Sequence, residues 1–166
     1  MLRSATMAAI EPVPFRLSVP GSEILDLRGA RSVSYKVEGL LNLDHDMVIV
    51  EWTGSESTEQ FTFSRVGTDV KLLPFETLEV PVEWIAEARL RRNLFSSPRL
   101  ELRARRLDAF DVVPSARPGL ISLKIRRRDR ALAAQMVDAI YQARARVEAQ
   151  LTSAEDDPTA LGEGGS

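Results

Sequence analysis

The sequence contains no cysteine, so disulfide frameworks, zinc–thiolate sites and thiol nucleophiles are excluded. It has a single histidine, His45, and aromatic residues make up only 6% of the chain. There is no run of about eighteen apolar residues, so no segment is predicted to span a membrane as a helix. The N-terminal stretch carries only a brief apolar patch. We therefore expect no cleavable secretion signal and a cytoplasmic location, with peripheral membrane contact as an alternative.

Sequence motifs that mark enzyme families are missing as well. The chain has no glycine-rich nucleotide-binding motif, no metalloprotease motif and no nucleophile elbow. His45 lies between Asp44 and Asp46, which we interpret as a turn, because three adjacent side chains cannot all converge on one ion. Asp108 and Asp111 form a carboxylate pair in a predicted surface loop. We expect no enzyme activity, no catalytic residue, no metal and no cofactor.

The composition is that of one globular domain, and its charge is unevenly distributed. The 166 residues are 44% hydrophobic and 28% charged. Residues 1–84 hold 7 Lys/Arg against 13 Asp/Glu, giving −6, whereas residues 85–150 hold 15 against 7, giving +8. This asymmetry indicates either an anion-binding face or simply solvated arginines. Because the pI is about 5.6 and aromatics are few, we expect no nucleic-acid partner.

Apolar and polar residues alternate from about residue 31, which predicts strands. A hairpin is predicted over 33–53, turning at 44–46 and broken by Gly54–Ser57. A third strand is expected to present Phe61 and Phe63 on one face, followed by a turn at 67–69. Further strands are predicted within 70–84, 84–91, 99–105 and 121–126, about seven in all, with residues 14–19 as an additional extended segment. Four residues of the 84–91 strand are expected to face the core: Trp84, Ala86, Ala88 and Leu90.

The spacing of the apolar residues then changes to that of a helix. We predict this helix from Asp129 to about Gln150, with Asp129 as its N-cap. The apolar set comprises Leu132, Met136, Ala139, Ile140, Ala143, Val147 and Leu151. We divide the chain into a partly extended N-terminal segment (1–30), one domain (31–150) and an acidic tail (151–166) predicted to be disordered.

Successive strands closed by one C-terminal helix argue against alternating strands and helices and predict a mainly β fold with a C-terminal α-helix. The stretches LDHDMVIVEW, VPVEWIAEARLRR, PRLELRARRLDAFDVVP and GLISLKIRRRDRALAAQMV resemble uncharacterised bacterial members of the pleckstrin-homology-like (PH-like) superfamily. The resemblance implies an open barrel of about seven antiparallel strands capped by one amphipathic helix. It also implies a binding or assembly module. Members that bind phosphoinositides carry basic residues around the loop between the first two strands. We assign that loop to residues 42–46, which are acidic here.

Candidate binding residues concentrate in a predicted arginine-rich hairpin. Arg89 and Arg91 on one strand, and Arg99, Arg103 and Arg105 on the next, share the solvent face, while the connecting loop carries Arg92, Leu94 and Phe95. Arg126–Arg128 and Arg130 follow at the strand–helix junction, where cations are unfavourable and indicate an acidic partner.

Three functions remain open for this chain. We favour protein contact, including self-association through the edges of the open sheets. The alternatives are peripheral binding to an anionic membrane through the hairpin and its Leu94/Phe95 loop, or carriage of a small apolar ligand between barrel and helix. A purely structural interpretation also stands, in which Phe95 folds back onto the core and the arginines are merely solvated.

Overall fold

The computed structural model describes residues 10–26, 29–92 and 94–155. Within these residues the chain forms eight strands and one long helix. The strands are β1 (Val13–Leu17), β2 (Ser22–Asp26), β3 (Gly29–Asp44), β4 (Met47–Thr62), β5 (Arg65–Pro81), β6 (Ile85–Arg91), β7 (Arg99–Ala104) and β8 (Leu120–Ile125). The helix is α1 (Arg130–Glu155), preceded by a 3-10 turn at Arg127–Asp129, and a second 3-10 turn spans Val82–Trp84.

The strands form one open antiparallel sheet in the order β5-β4-β3-β1-β8-β7-β6, with β2 paired only to β3. Two meanders, β3–β4–β5 and β6–β7–β8, are therefore joined through β1, which pairs with β3 on one side and with β8 on the other. The mainly β prediction with a C-terminal helix is confirmed, and the arrangement matches a PH-like open barrel with a capping helix.

Helix α1 closes the barrel by packing on β6, β3 and β1. Its fully buried face consists of Ala133, Met136, Ile140 and Ala143. These side chains join a single hydrophobic core with residues from the sheet and from the segment between β7 and β8, including Leu41, Val50, Leu102, Phe110 and Leu123. In the described part of the chain, no helix is both long enough and apolar enough to cross a membrane.

The predicted hairpin turn at 44–46 is confirmed, but both of its strands are far longer than predicted. Gly54–Ser57 does not break β4, because these residues pair in register with Ser34–Val37 of β3 and with 70–73 of β5. A ladder on both sides outweighs the weak strand propensity of Gly and Ser. The predicted third strand is wrong: Phe63 and Ser64 form the turn between β4 and β5, and residues 67–69 lie inside β5.

The predicted inward face of β6 also needs a correction. The pairing of β6 with β7 shifts between Ile85 and Glu87. This irregularity turns Ile85 into the core and leaves Ala86 exposed, whereas Ala88 is buried as predicted. On β7 and β8 the predicted inward residues are all buried: Leu100, Leu102, Ala104, Ile121, Leu123 and Ile125.

The ends of the domain differ from the sequence-based division. Because β1 joins the two meanders, the sheet begins at Val13, and β2 lies between β1 and β3 in the sequence. Residues 42–46 were assigned to the loop between the first two strands, but they join β3 to β4. Their acidic charge therefore gives no information about the loop after β1. Helix α1 continues past Gln150 to Glu155, and Leu151 is exposed. The rest of the predicted tail lies outside the described residues.

Candidate binding surfaces

The arginine-rich hairpin forms as predicted from β6 and β7. Arg91 lies opposite Arg99, Arg89 opposite Glu101, and Glu87 opposite Arg103. Arg105 follows the last residue of β7, at the end of the strand remote from the β6–β7 loop. The hairpin therefore brings together all the predicted binding residues except Arg105.

Carboxylates of the same chain neutralise much of this charge. The Glu101 Oε2 atom accepts a hydrogen bond from Arg89 Nε at 3.0 Å and forms an ion pair with Arg91, whose Nε lies 2.9 Å away. Glu87 Oε2 lies 3.8 Å from Arg103 Nε. At the far end, Arg105 Nη2 lies 3.8 Å from Glu148 Oε1 on α1. The predicted binding residues are thus not equally available to a partner.

A row of cations crosses the outer face of the same sheet. The pairing registers place Arg16 of β1 beside Lys124 of β8, Lys124 beside Arg99 of β7, and Arg99 beside Arg91 of β6. Arg16 is paired with Glu38 at 2.8 Å. Within the described chain, Arg99 and Lys124 have no carboxylate partner. Directly opposed like charges destabilise a sheet, so this row favours an external anion.

The loop between β6 and β7 presents its two large apolar side chains to solvent. Leu94 is 88% exposed and Phe95 is 97% exposed. The interpretation in which Phe95 folds back onto the core is therefore wrong. Full exposure of an aromatic side chain is costly in water, which makes this tip a candidate contact site.

An open depression of about 480 Å³ lies beside this tip, between the loop and the start of α1. The residues that line it are Arg92, Leu94, Ser96, Pro98, Arg127 and Arg130. Arg127 Nη2 donates to the Leu94 carbonyl oxygen at 3.5 Å, which ties the loop to the helix junction. None of these lining residues is acidic, and in the described chain none of the three arginines has an ion-pair partner. The depression combines three cationic groups with one hydroxyl.

A second surface, which sequence reasoning missed, is a β arm formed by the outer parts of β3, β4 and β5 together with β2. We define the arm as residues 22–36 and 55–73, within the described residues. On one face, Leu25, Ala30, Phe61 and Val66 lie side by side across four strands. Val70 and Leu72 continue that face along β5 and are 58% and 80% exposed. No second layer covers these side chains in the described chain.

The opposite face of the arm is polar near β5. Tyr35, Glu56 and Lys71 lie in one row across β3, β4 and β5, and Thr58 pairs with Asp69 in the next row. The carboxylate of Glu56 raises the pKa of the Tyr35 phenol above its ordinary value. Among the described residues, β5 is the last strand of the sheet, and its outward N–H and C=O groups have no strand beside them.

The groups considered for catalysis lie in a turn and in a local ion pair. His45 adopts a left-handed turn conformation with φ 53°, and its Nδ1 lies 2.6 Å from Asp44 Oδ1. Arg106 Nη2 donates to Asp108 Oδ2 at 2.7 Å, and this hydrogen bond lowers the pKa of the Asp108 carboxyl. The Arg106 guanidinium also stacks 4.4 Å above the Trp84 ring. Among the described residues, no group of His, Asp and Glu could hold a metal ion.

Side chains fill the centre of the space proposed for an apolar ligand, between barrel and helix, and an open depression of about 530 Å³ remains at its edge, lined by His45, Asp46, Ala143, Arg146, Val147 and Gln150. The α1 residues that face the sheet, Ala133, Met136 and Ile140, are almost completely buried. An apolar groove of about 450 Å³ lies elsewhere, beside Trp52, Leu73 and Val112, and opens to solvent.

Comparisons of the chain with protein-family models, with curated proteins and with solved structures gave no match. Any assignment of function therefore depends on the two surfaces described above, the β arm and the arginine-lined tip.

Proposed function

We propose that this chain is a non-enzymatic, PH-like binding module that associates with a second copy of itself through the edge of β5. The observation that carries the proposal is that residues Arg65 to Leu72 of this edge strand are exposed along their whole length. An uncovered edge strand is a template for adding another strand, because each backbone group can bond to the partner. The proposal keeps the expected cytoplasmic location.

The side chains of β5 favour one antiparallel register. With a two-fold axis at Val70, Asp69 of each copy lies opposite Lys71 of the other. Val70 then meets its symmetry mate, and Leu72 lies on each side of that pair. Moving the axis to Asp69 or to Lys71 would oppose two like charges. The register over 65–75 therefore joins two opposite-charge pairs with one continuous apolar stripe.

Association through β5 can be tested by light scattering and sedimentation over the micromolar range. We expect the wild-type chain to dimerise and Val70→Lys to remain a monomer, since the two new cations would face each other across the axis. Leu107→Lys is the matched control, because Leu107 is an exposed apolar residue outside the arm. A wild-type monomer at all concentrations would contradict the proposal, as would equal dimerisation of both variants.

A second candidate function, peripheral binding to an anionic membrane, is favoured by the exposure of Leu94 and Phe95 beside Arg92, Arg127 and Arg130. An apolar tip can insert between headgroups while each nearby cation contributes about 1 kcal/mol with anionic lipid. Vesicle sedimentation tests it: wild type should bind anionic vesicles more strongly than neutral ones, and Phe95→Asp should not. Equal behaviour of the two proteins would contradict this candidate.

A further inference from the structure

We infer that the depression lined by Arg92, Arg127 and Arg130 is a binding site for a phosphate group. This inference deepens the membrane-binding candidate, which would make the phosphate a lipid headgroup. The affinity of the site for a free phosphate does not require that candidate to be correct, and the test below separates the two.

The first support is that the arginines around the depression have no carboxylate partner in the described chain. Elsewhere on the hairpin, Arg89, Arg91 and Arg103 form ion pairs with Glu101 or Glu87, with nitrogen–oxygen distances between 2.9 and 3.8 Å. Around the depression, by contrast, the three arginines have no carboxylate partner in the described chain. Asp129, the nearest carboxylate in sequence, lies 3.8 Å from Arg128 and does not line the depression.

The second support is the convergence of two segments that lie 35 residues apart in the sequence, the one after β6 and the one that leads into α1. Arg92 follows β6, Arg127 lies in the 3-10 turn after β8, and Arg130 is the first residue of α1. Their backbones are fixed by folded elements, because the Ile125 N–H donates to the Pro98 carbonyl oxygen at 2.8 Å and holds the loop against the end of β8. The cations are brought together by the fold, and their mutual repulsion is relieved when an anion binds.

The third support is the match between the donors and phosphate. A guanidinium group donates two parallel hydrogen bonds to a tetrahedral oxyanion, and three such groups offer more donors than one carboxylate could use. Ser96 adds a hydroxyl at the rim. The depression, about 480 Å³, is open to solvent and large enough for a phosphate monoester with its substituent outside.

The first part of the test is a titration with inorganic phosphate in solution, followed through the arginine Nε–H signals by NMR. We expect saturable shifts at the three arginines that sodium chloride at the same ionic strength does not produce. Arg127→Gln should weaken phosphate binding about tenfold or more, since one hydrogen bond to a charged group accounts for at least that factor.

Arg146→Gln is the matched control. Arg146 lies on the same helix, sixteen residues after Arg130 and hence about 24 Å along the axis, so its substitution makes the same charge change away from the site. Its phosphate affinity should equal that of the wild type. Shifts that chloride reproduces, or an equal loss in Arg146→Gln and Arg127→Gln, would overturn the inference. Unchanged circular dichroism confirms that both variants fold.

The second part of the test distinguishes a lipid headgroup from a soluble phosphate, using phosphatidylcholine vesicles with and without phosphatidic acid. If binding to phosphatidic acid needs both Arg127 and Phe95, the site takes a lipid headgroup. If inorganic phosphate binds but neither vesicle does, the site takes a soluble phosphate, and the membrane candidate fails alone. If inorganic phosphate does not bind, and vesicle binding needs Phe95 but is unaffected by Arg127→Gln, the phosphate site is wrong while the membrane candidate stands.

Discussion

The proposed β5 register makes a prediction that depends on two residues, Asp69 and Lys71. Asp69→Lys converts both symmetry-related pairs across the two-fold axis from attractive to repulsive. Directly opposed charges on a sheet contribute roughly 0.5 kcal/mol each, with the sign set by the charges. Losing two attractive pairs and gaining two repulsive ones costs about 2 kcal/mol in total, which is a roughly 30-fold weaker dimer.

Mixing two variants provides the decisive measurement. Lys71→Asp should also weaken self-association, partly because Lys71 lies opposite Glu56 within one chain. When Asp69→Lys and Lys71→Asp are mixed, the lysine introduced at position 69 faces the aspartate introduced at position 71 across the axis, and the original Lys71 faces the original Asp69. We expect the mixture to form a heterodimer within a few-fold of the wild-type affinity, as measured by analytical ultracentrifugation with one variant labelled.

Glu79→Lys is the control for this experiment. It makes the same acid-to-lysine change on the same strand but lies beyond residues 65–75, and it should dimerise like the wild type. The proposed register is refuted if Asp69→Lys dimerises normally, or if the two variants fail to associate when mixed. A loss that Glu79→Lys shares would point to net charge instead of to specific pairs.

Two further predictions concern stability. Tyr141→Phe should lower the unfolding free energy by about 1–3 kcal/mol in chemical denaturation, because the buried Ala88 N–H donates to the Tyr141 hydroxyl at 3.1 Å and would lose that acceptor. The Arg106 hydrogen bond lowers the pKa of Asp108 from its ordinary 3.8, so this stabilisation is complete above 3.8 and is lost as pH falls through the lowered pKa. Asp108→Asn should therefore reduce stability at neutral pH and weaken its acid dependence; an unchanged acid dependence would contradict the assignment.

The regular parts of the fold could be predicted because the spacing of apolar residues alone determines them. On β7 and β8 every second residue is apolar, and a strand with one buried face requires that pattern. Helix α1 was equally predictable from the sequence, since Met136, Ile140 and Ala143 recur at helical spacing. In both cases the sequence neighbours themselves determine which side chains face the core.

The β arm could not be predicted because its strands bury little apolar surface. Without a buried face, alternation carries no signal, and Gly54 and the serines after it looked like a break. Their strand conformation comes from hydrogen bonds to β3 and β5, whose partner residues are 13 to 23 positions away in the sequence. Phe63 was misplaced for the same reason, since only the register of the two strands locates the turn.

The binding surfaces were predictable in residue type but not in availability. Nothing in the local sequence distinguishes Arg91, which Glu101 neutralises, from Arg92, which lines the depression. The contribution of Arg127 and Arg130 to the same depression depends on how β8 leads into α1. The exposure of Phe95 likewise follows from the path of the loop, because an apolar loop residue folds inward or outward according to the neighbours that the fold supplies.

The two proposals become linked if both surfaces operate in one assembly. A dimer joined at β5 carries two arginine-lined depressions, since these lie at the other meander and no β5 residue lines them. A surface that displays many phosphate groups could then be engaged twice, and tethering raises the apparent affinity without any new contact. A free phosphate ion occupies one site only. Asp69→Lys should therefore weaken binding to phosphatidic-acid vesicles while leaving the affinity for inorganic phosphate unchanged. If Asp69→Lys changes both affinities equally, the charge at residue 69 acts through the field of the monomer, and the link between the two surfaces is wrong.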